Sequence, residues 1–552
     1  MEFIKLMDQP EESATDPPST EVHSFGTQQC KYSRKKFICI SLCAIGVLFM
    51  YLSRLYKRTS IWEQSKTTHK EMTVDEVIFS LSWPPSTSNF SSFKNSTSAQ
   101  HSEVRLEQSR AQYCVGDTLN VLVEMRNYSG HPKSYGGDFI LARIYTPKLQ
   151  AFASGDVTDL LNGSYRVRFR LFWPGEVHVS VRLIHSSEAV RVLQKDWMQD
   201  YSKAMHKGTF ISGKKRETSQ CALRLSPDRP LCEYRKKEDG EYYACYKPQT
   251  LPCDSLTITK SYIPPGPHLT EEEVQLLARK NTGIEIKNSF KPVTVVGCTD
   301  ATHRPTEKCV AGMNSPFPGG YFYSNRWSSS ICQIGPFLGE EAITRCLKGK
   351  TLYLLGDSTL RQWIEYLGRK LKGLRYIEKG DDSKLAADVH NNITVRWARH
   401  SHPWIGFRAA NIKATIPLPE ILDRIAVGSG QDDVILVIGI GQHFRPYPPE
   451  VFIRRLRNVR RAILRLHARS PQTTVVIKLE NSRELESKMT QFSNWYGYMQ
   501  NLAQRKVFED MKVGLVDAWD MTVAANTFAV HPNGVVVSNE LALALSFACH
   551  EA

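Results

Sequence analysis

The residues best equipped for chemistry are Ser358 and His531. Ser358 stands in Leu354-Leu355-Gly356-Asp357-Ser358-Thr359-Leu360-Arg361, where an apolar run ends in Gly-Asp and a helical pattern begins. A serine beyond the carboxyl end of a buried strand sits on the rim where α/β sheets take ligands. At a helix N-terminus it also gains a dipole and free N–H groups that favour an alkoxide or a developing oxyanion. Read for structure alone, Ser358 is an N-cap and Asp357 a brace for the turn. A serine nucleophile needs an imidazole base. His531, in FAVHPNG (528–534), lies in the last loop, ahead of a helical stretch over 538–549. Oxyanion donors are expected from Ser358 itself, from Gly441 and Gln442 in GIGQHF (439–444), and, as the lesser candidate, from Gly406 in RHSHPWIG (399–406). His400, His402 and His443 read as structural or substrate-facing.

The elements that must position these residues are legible from apolar periodicity. TLYLLGDS (351–358), DVILVIGIG (433–441), TTVVIKLE (473–480) and VGLVDAW (513–519) are short, nearly continuous apolar runs. Between the second and third, Val451, Leu456, Val459, Ile463 and Leu466 recur at helical spacing over 448–470. Buried strands alternating with helices predict an α/β unit with a mainly parallel sheet. The seven arginines of 448–470 read as the solvated face of an amphipathic helix.

Upstream the period changes to two. TLNVLVEMR (118–126), DFILARIYT (138–146), SYRVRFRLFW (164–173) and EVHVSVRLI (176–184) alternate apolar with polar between Gly-rich turns, which predicts an antiparallel β-sandwich over 103–195. Cys221, Cys232, Cys245 and Cys253 follow at spacings of 10, 12 and 7 residues. Zinc knuckles need closely spaced cysteine pairs; none exists there, so no metal is expected and a disulfide-stapled segment is. Four cysteines allow three pairings, and spacing does not choose among them.

Composition bounds the compartment. The 552 residues carry 71 Lys plus Arg against 56 Asp plus Glu, a net charge of +15, with 41% hydrophobic residues. That excludes a mainly disordered chain. Residues 37–53 (FICISLCAIGVLFMYLS) form a 17-residue apolar run without a charge, at the short end for a bilayer span. Thirty-six mostly polar residues precede it and no small-x-small cleavage site follows, so an uncleaved signal anchor is expected. All five N-x-S/T sequons (Asn89, Asn95, Asn127, Asn162 and Asn392) lie beyond it. So do ten of the thirteen cysteines: Cys114, Cys221, Cys232, Cys245, Cys253, Cys298, Cys309, Cys332, Cys346 and Cys549. An even number fits disulfides in an oxidising lumen. The expected organisation is a cytoplasmic tail (1–36), anchor (37–53), stalk (54–102), sandwich (103–195), cysteine-rich segment and linker (196–297) and α/β domain (298–552). A type II protein of the Golgi or a neighbouring secretory membrane follows, or a secreted one if the anchor is cut, and nucleic acid is not an expected partner.

Three resemblances add to this reading. Gly136-Gly137-Asp138, Asn162-Gly163-Ser164-Tyr165 and Pro174-Gly175-Glu176 fall in the order seen in filamin-type immunoglobulin repeats, and with the cysteine segment they resemble the neurexophilin module. The order Ser358 first and His531 last fits the SGNH, or GDS-type, hydrolase fold. Residues 327–363, from Trp327 through Cys332 and Cys346 to LKGKTLYLLGDSTLRQW (347–363), resemble the start of PC-esterase domains. Together these match the neurexophilin and PC-esterase domain (NXPE) family over nearly all of the chain beyond the anchor.

The resemblance implies Ser358 as nucleophile, His531 as base and acyl-ester chemistry on glycans. An O-acetyltransferase taking acetyl-CoA as donor, with sialic acids among its acceptors, leads. A carbohydrate O-acetyl esterase and a non-catalytic, neurexophilin-like ligand on a degenerate esterase fold are the alternatives, and the protein partner of the neurexophilin-like module is unknown. SGNH enzymes usually carry an acid three residues before the histidine; here that position is Phe528. Asp520 is the tentative orienter of His531, Asp517 a structural residue, and a Ser–His dyad or a dead site stay open.

Overall fold

Period-two alternation becomes two packed sheets. In the computed structural model, residues 71–84, 92–199, 205–262, 269–298, 305–401, 409–425, 434–485 and 489–549 are described. Thr118–Glu124 and Ser164–Arg170 each bury alternate residues. They pair antiparallel with Val121 opposite Val167, at the centre of a sheet completed by Lys287–Asn288, Glu103–Leu106 and Asp156–Asp159. The facing sheet runs Arg326–Ser329, Gly320–Tyr323, Ala151–Ser154, Phe139–Thr146, Gly175–His185, Val293–Val296, Tyr113–Cys114. Leu119, Val121, Val167, Phe169, Ile144, Val179 and Val181 fill the space between. Each such buried side chain contributes roughly 1.5–3 kcal/mol.

Two expected boundaries move. Lys287–Asn288 and Val293–Val296, expected in the linker, and Gly320–Ser329, expected in the α/β domain, are strands of the sandwich. Strands of two to four residues hold too few alternations to show a period. The stalk expected over 54–102 is, across its described part, body. Val74–Ser80 is a helix with a Thr73–Glu76 capping box and buries Val77. Trp83 donates from Nε1 to the Gly137 carbonyl at 2.9 Å and packs its ring on Phe139, Trp495 and Tyr498. Ser96, Thr97 and Ser98 are buried. The tail, the apolar run 37–53, Cys30, Cys39, Cys43 and Asn89 lie outside the described residues. Among the described residues no helix is long and apolar enough to cross a membrane.

The cysteine segment is a third sheet, built from Leu231–Lys236, Glu241–Tyr246, Lys215–Ala222, Met205–Ser212, Leu256–Tyr262 and Ala410–Asn411. Cys221 pairs with Cys245 and Cys232 with Cys253; with Cys114–Cys298, Cys309–Cys332 and Cys346–Cys549 the described residues hold five disulfides. Five such bonds point to an extracellular or luminal protein. Asn95, Asn162 and Asn392 are exposed, whereas Asn127 is half-buried and its Oδ1 accepts from the N–H groups of Ser129 and His131.

Among the described residues the α/β sheet holds seven strands: β1 (Thr351–Gly356), β2 (Arg375–Lys379), β3 (Ser383–Asp388), β4 (Ile393–Ala398), β5 (Val434–Gly439), β6 (Thr474–Lys478) and β7 (Gly514–Val516), in the order β2-β3-β4-β1-β5-β6-β7. β4, β1, β5, β6 and β7 are parallel, and β2 and β3 extend one edge antiparallel. The strand order reverses between β1 and β5, and ligands sit at such a point in open α/β sheets. The main helices are α1 (Ser358–Lys370), α2 (Pro449–Arg469), α3 (Asn494–Phe508), α4 (Ala518–Ala524) and α5 (Gly534–Ser546).

The sandwich and the α/β sheet share a core. Phe139, Leu141, Ile184 and Trp197 join Leu436, Phe452, Leu456, Trp495 and Tyr496 in one apolar cluster. His185 Nε2 meets Ser493 Oγ at 2.8 Å, and Tyr496 Oη donates to Asp196 Oδ2 at 2.8 Å. The arginines of α2 form the predicted solvated face only in part: Arg465 and Arg469 are exposed and Arg454, Arg457 and Arg461 half-buried. Arg455 and Arg460 are buried; Arg455 pairs with Glu241 of the cysteine sheet at 2.7 Å, Arg460 with Asp510 and Arg465 with Asp423. Each buried arginine meets a carboxylate from a distant stretch of chain, and periodicity does not encode that.

Candidate active site

β1 ends at Gly356, where an added Cβ would lie 1.9 Å from the Gly439 carbonyl oxygen, so only glycine lets β1 and β5 run this close. Asp357 then caps α1. Its Oδ1 accepts from Thr359 N–H (2.9 Å) and Oγ1 (2.7 Å), and its Oδ2 accepts from Gln442 N–H at 3.2 Å. Trp397 Nε1 donates to the Asp357 carbonyl at 3.2 Å. Asp357 therefore spends its carboxylate on the turn, and Ser358 follows as the first helical residue, half-buried. The N–H groups of a first helical turn have no partner within the helix, so the Ser358 N–H is available to a ligand oxygen.

His531 lies in the loop between α4 and α5, exposed, with Nε2 2.7 Å from Ser358 Oγ. The loop is held from three sides. Gln362 of α1 donates to the Pro532 carbonyl at 3.0 Å. Asn481, just past β6, donates from Nδ2 to the carbonyls of Ala529 and Val530 at 3.2 Å. Glu484 Oε1 accepts from Val530 N–H at 2.9 Å. Partial burial and the Arg361 guanidinium hold the His531 pKa below its ordinary 6.5, against the opposite pull of Asp357 and Glu484. The neutral, proton-accepting ring is thereby favoured.

The other expected site residues fare differently. Gly441 opens the turn after β5, packed so closely on Glu480 that a Cβ would overlap its carboxylate. Gln442 is buried and donates from Nε2 to the Asn481 carbonyl at 3.0 Å, while its backbone N–H is held by Asp357. Both groups brace the turn rather than serving as the oxyanion donor expected of Gln442. Gly406 and His402 lie outside the described residues.

Asp520 is not the orienter of His531. It lies in α4, fully buried, with Oδ2 accepting from Gly319 N–H at 2.6 Å and its backbone carbonyl from Ser154 Oγ. α4 packs under the sandwich strands, so the side chain faces the seam between the two sheets and not the rim. Burial first, then the charge of Asp517, push its pKa up to about 7. Asp517 N-caps α4 and pairs with Arg505 at 2.5 Å. Among the described residues no carboxylate hydrogen-bonds His531 Nδ1.

Sequence reasoning missed Asn481, Glu484 and Gln362, which fix the histidine loop. The signal existed for Asn481: it lies at the carboxyl end of β6, on the same rim as Ser358. Beneath it, Arg445 and Glu480 form a buried ion pair at 2.8 Å, with Arg445 Nη2 also donating to the Asn481 carbonyl at 2.9 Å.

Comparison with known families decides the chain's relationship. Residues 327–549 match the family model described as NXPE family member 4-like, C-terminal domain, and residues 77–262 match the neurexophilin model. The chain belongs to the NXPE family. In this NXPE-family chain the neurexophilin match begins inside the helix Val74–Ser80, within the supposed stalk, and the C-terminal match holds both Ser358 and His531. Family membership suggests an esterase- or acyltransferase-like role.

Proposed function

We propose that this protein is a luminal O-acetyltransferase of glycan hydroxyls, anchored in a Golgi or related membrane through residues 37–53. The observation that carries the reading is the 2.7 Å approach of His531 Nε2 to Ser358 Oγ at a helix N-terminus on the sheet's switch point. Ser358 Oγ attacks the acetyl carbonyl of the donor, acetyl-CoA, as His531 takes its proton; His531 then protonates the leaving thiolate. A sugar hydroxyl next gives its proton to His531 and attacks the acetyl-serine, which releases the acetylated sugar and restores Ser358 Oγ–H. The Ser358 N–H and the α1 dipole oppose the negative charge of each tetrahedral intermediate. Gly441 is the proposed second donor. Sialic acids are the first acceptors to examine. Water in place of the sugar would make the same residues an esterase.

The reading is tested by glycan mass spectrometry of cells expressing native protein or Ser358→Ala at equal luminal levels. Loss of acetylated glycans in the variant supports it; equal acetylation with Ser358→Ala overturns it. A second reading, a non-catalytic ligand on an esterase fold, is favoured by the missing carboxylate at His531 Nδ1. A serine-reactive covalent probe separates the two, because a ligand protein leaves Ser358 unlabelled.

A further inference from the structure

We infer that His443 seats the acceptor sugar by taking a hydrogen bond from a hydroxyl next to the one that reacts, which leaves the reacting hydroxyl to His531. The inference rests on the acyl-transfer reading and adds to it a second ring that faces the substrate. His443 follows Gln442, whose N–H is bonded to the Asp357 carboxylate beside Ser358. His443 itself lies in the turn Gly441–Phe444, just past the carboxyl end of β5, on the rim at the switch point. Asp357, Arg361 and Arg483 act electrostatically on both imidazoles.

Its protonation follows from a chain of two hydrogen bonds. His400 Nδ1 lies 3.1 Å from the Ser401 carbonyl oxygen, and His400 Nε2 lies 2.8 Å from His443 Nδ1. A carbonyl only accepts, so His400 Nδ1 carries a proton. His400 is fully buried, and burial holds its pKa well below 6.5. The ring is neutral, its Nε2 is bare, and that atom accepts. His443 Nδ1 must then be the donor. Burial brings His443 to a pKa of about 4, so it too is neutral and its Nε2 presents a lone pair. Among the described residues nothing donates to that nitrogen, and His443 is only half-buried. A fixed, bare imidazole nitrogen on the rim accepts from a neutral O–H. The ligand chemistry is that of a polyol. Ser401 and His400 do for His443 what a carboxylate does for the histidine of a triad: they fix which nitrogen is bare.

The test is the partition of the acetyl-enzyme between sugar and water, measured on the full chain with an activated acetyl ester as donor. His443→Phe keeps ring volume and removes the lone pair; we expect the ratio of transfer to hydrolysis to fall about 10- to 100-fold, the effect of one lost hydrogen bond in recognition. His443→Gln, which returns an acceptor oxygen near the Nε2 position, should restore most of it. If the phenylalanine variant fails to fold, His443→Asn, which keeps the donor to His400 and withdraws the acceptor, takes its place. A structural role changes the amount of acetyl-enzyme and leaves the partition unaltered, so a ratio within twofold of native overturns the inference. A native protein that forms acetyl-Ser358 but passes it only to water also overturns it. One that forms none refutes the acyl-transfer reading itself, and the two failures are distinguishable by mass spectrometry of the intact protein.

Discussion

Two turns of the α/β sheet use the same local device and end in different places. β1 runs into Asp357, which caps α1; β7 runs into Asp517, which caps α4. In each, one carboxylate oxygen satisfies the helix and the other reaches a neighbour: Gln442 N–H for Asp357, Arg505 for Asp517. After Asp357 the chain presents Ser358 at the rim beside His531. After Asp517 it carries Asp520 under the sandwich, where Gly319 and Ser154 enclose it. A strand–Asp–helix turn becomes a site only where nothing covers it. Covered, the same turn joins layers.

The comparison can be broken most severely at the rim. Ser358→Ala or His531→Ala is expected to lower glycan acetylation by ~10⁴-fold while thermal unfolding stays near native; retention of activity by either would place the chemistry elsewhere. At the seam the effect should be on folding. Asp520→Ala strands Gly319 N–H and should cost about 1–3 kcal/mol in urea denaturation, with acetylation per folded molecule kept. If that variant instead loses activity as His531→Ala does, the contrast between the two turns is wrong.

A pH series sharpens the same point. The folded pKa of Asp520, about 7, lies above the 3.8 of an unperturbed aspartate. The folded state thus binds the extra proton, and this group's contribution is greatest below pH 4 and lost as pH rises to about 7. Asp520→Asn should therefore flatten the urea midpoint between pH 4 and 7 relative to native protein, and an unchanged slope would deny the burial of this carboxyl. The smallest effect is again at the rim. Burial and then the Arg361 guanidinium lower the His531 pKa, so the acid limb of the transfer rate should have its midpoint below 6.5. Arg361→Gln should move that midpoint upward by less than about one unit. A shift downward would mean that the guanidinium acts on another group.

What could be read from the residues divides along the same line. The strand ahead of Ser358, the long helix α2 and the alternating strands 118–124 and 164–170 each carry a period of their own, and local pattern was enough. Ser358 and His531, 173 residues apart in the chain, were paired by topology: rims of parallel sheets collect loop residues. Asp520 misled because its sequence position, just past the last strand, is a rim position in an uncovered sheet, and no local pattern announces that a sandwich covers it. Arg455 and Arg460 of α2 misled for a kindred reason, since Glu241 and Asp510 reach them from other segments. Asn481 and Glu484 were missed although the rule that found Gly441 reaches them too.

The sandwich borrows its last strands from far along the chain: Lys287 stands opposite Glu103, and Tyr321 opposite Ala153. During synthesis, the strand at Glu103–Leu106 waits more than 200 residues for Arg326–Ser329 to complete the facing sheet, on the order of 10–50 s at ordinary elongation rates. Until then Ala151–Ser154 presents an open edge, the kind that pairs with other chains. Closing so long a loop is entropically slow. The nascent protein therefore passes through a period in which its first half is made, incomplete and prone to association, and the demand falls on folding helpers of the compartment that receives it.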